Sequence, residues 1–464
     1  MVRSGRGCSI SLSPPYRSAF VGVLCRKTRF LGQVVGFVVL VPGLIIGDDW
    51  PQWRGPGGRG IWSEKGIVDA FPESRAVPRW TAEVSSGYSA PSVASGRVYL
   101  TDRFVDAEGD QFERVLCFDA KNGDRLWKHQ YTAAYQVNSG LGPRAAPVIA
   151  GGRVFALGTM GHLHALDAKT GAVLWKKQLV WEYSVDFPTW GMASAPLLVG
   201  NTAVVHVGGR NGASIIGLDV ATGSLRWRVL SDQPSYSTPV AIRRGGKTTA
   251  IVWTGENIVG LDPLNGKVAW QIPTPSLRSV VAVHSPVISP DGGRVFVSSF
   301  YEGSKLIQLS DDGREAEVLW SRVGKSERRT DGLHSMISSP IWDTRGKYIF
   351  GIDSYGALRC LSATDGSRVW SDSGTVVPTG RWATVHMVRH GTDVWMLNEQ
   401  GDLMITELNS DGVKILSKTK VIEATSELNQ RSYPVAWAHP AFADGCVFVR
   451  NDRELRCVRL RAAE

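Results

Sequence analysis

Short apolar runs alternate with turns rich in Gly, Asn and Asp along most of the chain. In one stretch the runs are residues 146–149, 154–157, 163–166 and 173–175. β-Branched and aromatic residues favour strands, whereas Gly, Asn and Asp favour turns, so this pattern predicts successive β-hairpins. After residue 48 no stretch keeps a helical period. The sequence therefore predicts an all-β protein.

A nine-residue phrase, Asp-x-x-Thr/Asn-Gly-x-x-x-Trp, recurs through these runs. Intact copies occupy residues 119–127, 167–175, 219–227 and 262–270, worn copies end at Trp320 and Trp370, and a further copy ends at Leu416. The phrase predicts a tight turn followed by a strand, because Asp can cap its own turn and Gly accepts a positive φ. The Trp is then a large apolar anchor of the next strand.

The tryptophans of the phrase give the length of the repeat. From Trp80 to Trp370 they stand 47, 48, 52, 43, 50 and 50 residues apart. A period of this length is typical of propellers, whose units bury their faces by stacking on their neighbours. We expect these residues to pack each blade on the next: Trp80, Trp127, Trp175, Trp227, Trp270, Trp320 and Trp370.

The first strand of each unit carries a proline, and these prolines count the units independently. They are Pro91, Pro147, Pro196, Pro239, Pro286, Pro340 and Pro440, with Val388 at the position of the seventh of eight. The last unit, 438–460, supplies only three strands, and the strand around Trp80 stands alone at the front of the repeat. The sequence therefore predicts an eight-bladed β-propeller of four-stranded antiparallel blades, closed by pairing of these two ends.

The chain divides into residues 1–47, 48–77 and 78–464. Residues 30–47 are uncharged and apolar, and they follow six basic residues and no acidic one. This pattern is typical of a signal peptide or a signal anchor, so we expect an exported protein of the periplasm or cell envelope. An uncleaved segment 30–47 would anchor it in the inner membrane. Residues 48–77 are expected to form an arm that packs on the propeller through its tryptophans.

Charge and cysteine positions narrow the possibilities further. The formal net charge is +9, but six of these charges lie in residues 1–29, which leaves +3 for the rest. Nothing in this balance indicates a nucleic-acid partner. Cys117, Cys360 and Cys457 occupy one repeat position and are expected to be small core residues. Cys446 and Cys457 lie on one predicted hairpin, so a cross-strand disulfide remains an alternative.

Residues just before each first-strand Pro should converge at one mouth of the central channel. The candidates for a ligand funnel there are Arg144, Trp190, His284, His334, Arg381, Trp382, His386, Trp437 and His439, beside Tyr88, Met192, Tyr236 and Met336. Guanidinium, imidazole and indole groups suit a planar anionic molecule or a metal. The alternative is that these side chains only fill the taper of the mouth.

The histidines of this set are expected to differ in direction. His284 and His386 stand two residues before the Pro position, whereas His439 stands one before its Pro. Because successive side chains of a strand point to opposite faces, His439 should point differently from the other two. His206, on an apolar second strand, is expected to be a satisfied core histidine.

In its repeated phrase and its eight units the sequence resembles the pyrroloquinoline quinone (PQQ) type of β-propeller. The arm motif Trp-Pro-Gln-Trp-Arg-Gly-Pro at 50–56 is similar to that of a group of exported bacterial propellers. The superfamily includes quinoprotein alcohol dehydrogenases and a non-enzymatic outer-membrane assembly lipoprotein. The dehydrogenases use two adjacent cysteines, Ca²⁺ held by Glu, Asn and Asp, and an Asp base. This sequence has no adjacent cysteines, although the predicted channel-face turns carry acids that could hold a cation: Glu256, Glu302, Asp353 and Glu399.

We therefore expect an exported, non-catalytic scaffold that binds an envelope protein, with membrane contact only through the N-terminal segment. Two alternatives stay open. In the first, the protein is a PQQ- or metal-dependent alcohol oxidoreductase in which Arg144, Arg381 and Trp382 bind the acidic quinone beside Ca²⁺. In the second, it binds an extracellular glycan or peptide through Trp190, Trp382 and Trp437.

Overall fold

The computed structural model describes residues 48–461 except 138–139, 277 and 429–430. The expected signal peptide or anchor in residues 1–47 lies outside this part. Across the described part, no helix is long and apolar enough to span a membrane. The helices there are short: a 3-10 turn at Pro56–Gly58 and α1 at Leu179–Glu182.

Two short strands precede the first complete sheet, namely β1 (Ile61–Trp62) and β2 (Trp80–Glu83). The first four blades contain β3 (Ser92–Ala94), β4 (Arg97–Val105), β5 (Gln111–Asp119) and β6 (Arg125–Thr132); β7 (Val148–Ala150), β8 (Arg153–Leu157), β9 (His162–Asp167) and β10 (Val173–Gln178); β11 (Leu197–Val199), β12 (Thr202–Gly209), β13 (Ala213–Asp219) and β14 (Leu225–Val229); β15 (Val240–Arg244), β16 (Lys247–Trp253), β17 (Asn257–Leu261) and β18 (Val268–Pro273).

The other four blades contain β19 (Val287–Ile288), β20 (Arg294–Ser299), β21 (Gly303–Leu309) and β22 (Ala316–Arg322); β23 (Ile341–Trp342), β24 (Tyr348–Ile352), β25 (Ala357–Ser362) and β26 (Arg368–Ser373); β27 (Val385–His390), β28 (Asp393–Asn398), β29 (Asp402–Asn409) and β30 (Gly412–Lys420); and β31 (Ala441–Ala443), β32 (Cys446–Arg450) and β33 (Glu454–Arg459) with β2. Within each blade, neighbours in the sequence pair antiparallel.

The ring is closed by the strand around Trp80. β2 pairs antiparallel with β33, and Trp80 lies opposite Cys457. The eighth blade therefore combines three C-terminal strands with one strand from before the first repeat. The prediction of an eight-bladed, all-β propeller closed in this way is confirmed.

Each repeat tryptophan links its blade to the next one. Its indole Nε1 donates to a carbonyl in the neighbouring Asp-x-x-Thr-Gly turn, as in Trp127 to Ala168 at 3.1 Å and Trp227 to Pro263 at 3.1 Å. The ring also covers the glycine of that turn. A Cβ on Gly171 would lie 2.6 Å from the Trp127 ring, and Gly171 has φ +75°. Glycine is therefore required there both for its backbone conformation and for the close approach of the ring.

The seam between the seventh and eighth blades is built differently. Ser417, and not Leu416, pairs with Ile405 at the position where other blades carry the Trp, while Leu416 is exposed. Phe71 of the arm supplies the missing aromatic group. Its backbone N–H donates to Ser417 Oγ at 2.8 Å, and the Phe71 ring lies 5.6 Å from the Trp395 ring. The expectation that the seventh copy of the phrase ends at Leu416 is therefore wrong by one residue.

The arm crosses the inner strands before it reaches this seam. Trp50 and Val93 exchange two backbone hydrogen bonds of 2.8 Å, and β1 pairs parallel with the inner strand β27. Trp50 and Trp62 are almost fully buried. The arm thus lies against one end of the central channel.

Candidate functional site

Two layers of residues face the central channel, in the segments that lead into the inner strands. The residues three before each Pro form the wall of a funnel, and they include Tyr88, Arg144, Ala193, Tyr236, Val283, Ile337 and Trp437. The residues one before each Pro form the next layer, from which Ala146 and Thr238 also line the funnel. This spacing of two is the one expected of an extended backbone, in which successive side chains point to opposite sides.

The funnel is an aromatic cavity that ends on the arm. Its volume is about 140 Å³, close to the roughly 150 Å³ of apolar cavities that accept benzene. Trp190, Trp382 and Trp437 contribute to its wall, and Trp53 of the arm lies at its base. A planar ring would find apolar contacts there on several sides.

Arg144 is the charged side chain among the lining residues that the structure describes. Its Nη1 donates to the Gly142 carbonyl at 3.0 Å and its Nη2 to the Gly140 carbonyl at 3.1 Å. The guanidinium also lies 5.2 Å from the centre of the Tyr88 ring. Burial lowers the pKa of Arg144 from its usual value. The group is thus held in place by the loop before its strand.

Seven of the residues that the sequence indicated line the funnel together: Tyr88, Arg144, Trp190, Tyr236, Met336, Trp382 and Trp437. Arg381 lies at the edge of the mouth, where its guanidinium is 3.1 Å from Glu327 and 5.2 Å from the Trp382 ring. It therefore orients an aromatic wall residue and is already paired with a carboxylate.

His284 and His334 are buried and do not belong to the funnel wall. The His284 ring lies 2.7 Å from the Ser285 carbonyl through Nδ1, and its Nε2 accepts from the Ser298 N–H at 3.0 Å. In His334, Nδ1 lies next to the Phe300 carbonyl, and Nε2 accepts a hydrogen bond from the Gly324 N–H. Burial lowers the pKa of His284 to about 4. Both rings bind backbone groups, and neither is among the residues that line the funnel.

His206 has the same arrangement on its apolar strand. Its Nδ1 lies 3.1 Å from the Ser214 carbonyl, its Nε2 accepts from the Ser235 N–H at 2.9 Å, and burial lowers its pKa to about 4. It is a satisfied core histidine, as the sequence indicated.

His386 and His439 lie next to each other below the funnel wall. Val388 pairs with Trp395 in the seventh blade, and Ala441 pairs with Phe448 at the equivalent position of the eighth. The residue before Val388, Met387, therefore stands where the eighth blade has Pro440. His386 and His439 are therefore equivalent positions, and their rings lie 4.8 Å apart. The expectation that His386 is aligned with His284 and differs from His439 is wrong, because the missing Pro obscured a shift of one residue.

The acids expected near the channel are already engaged. Glu399 is fully buried and accepts hydrogen bonds from Arg431, Tyr433 and Trp437, with the indole N–H of Trp437 at 2.9 Å. Asp353 is paired with Arg359, Glu302 accepts from Ser299, and Glu256 is exposed and accepts from the Gln233 N–H. Glu399 thus positions a funnel tryptophan.

These residues do not fit a calcium ion beside a quinone. Residues 48–461, apart from the gaps, contain no group of three His, Cys, Asp or Glu side chains that could hold a metal ion. The funnel lining as described includes no carboxylate. The side chains that surround the cavity therefore offer a cationic group and aromatic faces to a ligand.

The four cysteines among the described residues are free thiols in the core. Cys117 lies opposite Trp127 and Cys360 opposite Trp370, where the second, third and fourth blades have Ala or Gly. Cys446 pairs with Arg459, and Cys457 pairs with Phe448, so the two cysteines are offset along their hairpin. They are hydrogen-bonded thiols, and this contact lowers the pKa of Cys446.

The repeat pattern did not reveal the base of the funnel. Trp53 and Arg54 come from the arm, which lies outside the repeat and has no strand period. The only signal for them is the motif at 50–56, and that motif does not state which part of the ring it contacts. Contacts with the inner strands, such as the 4.9 Å between the Trp53 and His439 rings, appear only in three dimensions.

Comparison with known proteins gives consistent results. A family model described as outer membrane protein assembly factor BamB matches residues 64–179 and 111–372. BamB of Yersinia pestis is 25% identical over 343 residues, which cover 70% of this chain and 76% of that protein.

Solved structures show the same fold at low identity. BamB from Moraxella catarrhalis superposes with a TM-score of 0.52 and 15% identity, covering 82% of this chain and 98% of the other. A quinohemoprotein alcohol dehydrogenase from Pseudomonas putida HK5 gives a TM-score of 0.51 and 12% identity, covering 90% and 81%.

Proposed function

Because the chain belongs to the family of the outer membrane protein assembly factor BamB, we propose that it is an exported, non-catalytic propeller that binds a protein of the cell envelope and supports its assembly. The observation that carries this proposal is the family match, which spans residues 64–372 and thus more than half of the chain. The fold alone would not distinguish a scaffold from a dehydrogenase, since one fold hosts many functions.

The chemistry of the funnel supports binding over turnover. General acid–base catalysis needs a titratable group within hydrogen-bond reach of the reacting atoms. Glu399, a buried carboxylate in contact with the lining residue Trp437, is occupied by Arg431, Tyr433 and Trp437. His284 and His334 are bonded to backbone groups on both ring nitrogens. These side chains stabilise the mouth, and the described lining of the funnel includes no carboxylate or imidazole group.

The connection between the second and third blades offers a surface that suits a protein partner. It includes α1 and also carries the funnel residue Trp190. Trp181 in α1 is 79% exposed, and Phe187 is 39% exposed. Large aromatic side chains of this kind are the residues that contribute most to protein interfaces. A partner that covers Trp181 would bury the most exposed tryptophan of the described chain.

The test is outer-membrane assembly in cells that lack the gene. We expect fewer folded β-barrel proteins in the outer membrane, restoration by the wild-type protein, and weaker restoration by a variant with Trp181→Ser and Phe187→Ser. Leu264→Ser is the matched control, because Leu264 is 58% exposed in a turn on the opposite face. Unchanged barrel content without the gene would contradict the scaffold function; full restoration by the double variant would exclude this surface.

A second candidate function is the binding of a planar small molecule or a sugar in the aromatic funnel. The cavity of about 140 Å³ with Trp190, Trp382 and Trp437 in its wall favours it. Calorimetric titration with pyrroloquinoline quinone and Ca²⁺, followed by dye-linked alcohol oxidation, distinguishes ligand binding from catalysis. Heat without turnover would support a ligand-binding propeller, and turnover would contradict the non-catalytic assignment. A change in tryptophan fluorescence with a glycan would identify a sugar ligand.

A further inference from the structure

Arg54 is a buried cation that has no carboxylate partner among the residues that the structure describes. Its side chain is 1% exposed, and its Nη2 donates to the carbonyls of Pro340 at 3.2 Å and Arg59 at 3.4 Å. Its Nε is buried and has no hydrogen-bond partner within the described part of the chain. Burial lowers its pKa to about 10, so the group stays charged at neutral pH. An uncompensated buried charge is costly, because the interior solvates ions poorly.

The other buried arginines of the described chain have acids nearby. Arg114 and Arg359 lie 2.5 Å from Asp102 and Asp353, respectively. Burial lowers the pKa of Arg450, and the nearby charges of Asp102 and Asp452 act in the opposite direction. Charge compensation is thus the rule in this molecule, and Arg54 departs from it.

A half-ring of polar side chains lies beside Arg54. In the fifth to eighth blades, the channel-facing position directly below the funnel wall is occupied by Ser285, Ser339, His386 and His439. The first three each have a buried atom without a partner: Ser285 Oγ, Ser339 Oγ and His386 Nδ1. Pro340, whose carbonyl binds Arg54, directly follows Ser339. The cation and the unpartnered polar atoms therefore share one level of the channel.

We infer that Arg54 and this half-ring bind a small inorganic monoanion of chloride size beneath Trp53. The guanidinium supplies one positive charge, and the two serine hydroxyls can donate hydrogen bonds to an anion. The residues are almost completely buried, which favours a small ion over an organic acid. Trp53 lies 4.9 Å from the His439 ring and separates this level from the funnel above.

The affinity for the anion should depend on the protonation of His386. Its Nε2 lies 2.7 Å from the Trp437 carbonyl and must donate there, so Nδ1 carries a hydrogen only when the ring is cationic. Burial and Arg54 lower the pKa of His386 to about 4. His439 and His284 also lie close to Arg54 and have low pKa values. A bound anion offsets these positive charges, and its affinity should therefore rise as the pH falls.

The experiment compares melting temperatures of the purified protein in sodium chloride and in sodium gluconate at equal ionic strength. Gluconate is too large for the site, so we expect melting about 2–4 °C higher in chloride, with a larger difference near pH 5.5 than near pH 8. Arg54→Met should lose the difference whatever its own stability. Arg226→Met, which removes a surface arginine paired with Asp219, should retain it.

Direct observation makes the test independent of variant folding. A crystal soaked in bromide should give an anomalous peak within hydrogen-bond distance of Arg54. If Arg54→Met does not fold, Ser339→Ala should reduce the chloride effect. Equal melting in the two salts, or a crystal without this peak, would overturn the inference.

Discussion

At the scale of single residues, the repeat tryptophan has two roles that can be separated. Trp227 is 9% exposed, its indole N–H donates to the Pro263 carbonyl, and its ring covers Gly266 of the next blade. We expect Trp227→Ala to lower the free energy of unfolding by about 3–5 kcal/mol, because it removes a large buried side chain. Trp227→Phe should cost less, since it keeps most of the packing.

Chemical denaturation measures the free energy of unfolding of both variants. Trp181→Ala is the matched control, because this tryptophan is 79% exposed and its loss should change the free energy of unfolding by less than about 0.5 kcal/mol. Equal effects of Trp227→Ala and Trp181→Ala would show that the repeat tryptophans do not hold the blades together.

His284 should make the protein sensitive to acid. The folded protein binds a proton at this ring only near pH 4, whereas an unfolded chain binds it near pH 6.5. Stability is therefore fully present above about pH 6.5 and falls as the pH drops towards 4, by about 3 kcal/mol from this group. His284→Gln should flatten the dependence of the free energy of unfolding on pH in this window. An unchanged slope would contradict the neutral, buried state of the ring.

The sequence predicted the funnel residues only in part, for a geometric reason. A residue one or three before the Pro faces the channel, whereas a residue two before it faces the interior of the sheet. His284 and His439 differ by this single step, and the seventh unit lacks the Pro that would have set its register. Arg144 and Trp437 stand three before their prolines, and both line the funnel.

At the scale of secondary-structure elements, ring closure depends on β2. Deleting residues 76–84 should expose the edge of β33 and cause aggregation, because an unpaired strand edge is a template for another chain. Deleting residues 106–110 is the control, since it removes a hairpin tip between β4 and β5 and opens no edge. Size-exclusion chromatography and thermal melting report the result. A soluble monomer with unchanged melting would contradict closure by this strand.

The repeats were predictable from the sequence, but the path of the arm was not. Strand alternation, turn residues and the Trp period all indicate blades, so several signals agree. The arm has none of them, and its contacts depend on residues that are far apart in the chain. Phe71 at the seam and Arg54 under the funnel therefore became apparent only with the structure.

At the scale of the whole molecule, the propeller is a closed ring whose funnel ends on Trp53 of the arm. Its buried acids hold arginines and tryptophans, and its most exposed tryptophan lies in a connection that also borders the funnel. This distribution favours a rigid body with one contact face. The sequence could predict the ring, but the partner's identity depends on a surface that carries no repeat signal.

The most direct test of the scaffold function is photo-crosslinking in living cells. A photoreactive amino acid at position 181 should give one discrete cross-linked species with an envelope protein, and the same group at position 264 should give none. Thermal melting of both purified variants should match the wild type. No cross-link at 181, or equal patterns at both positions, would contradict the claim that this propeller works by holding a protein partner against its funnel face.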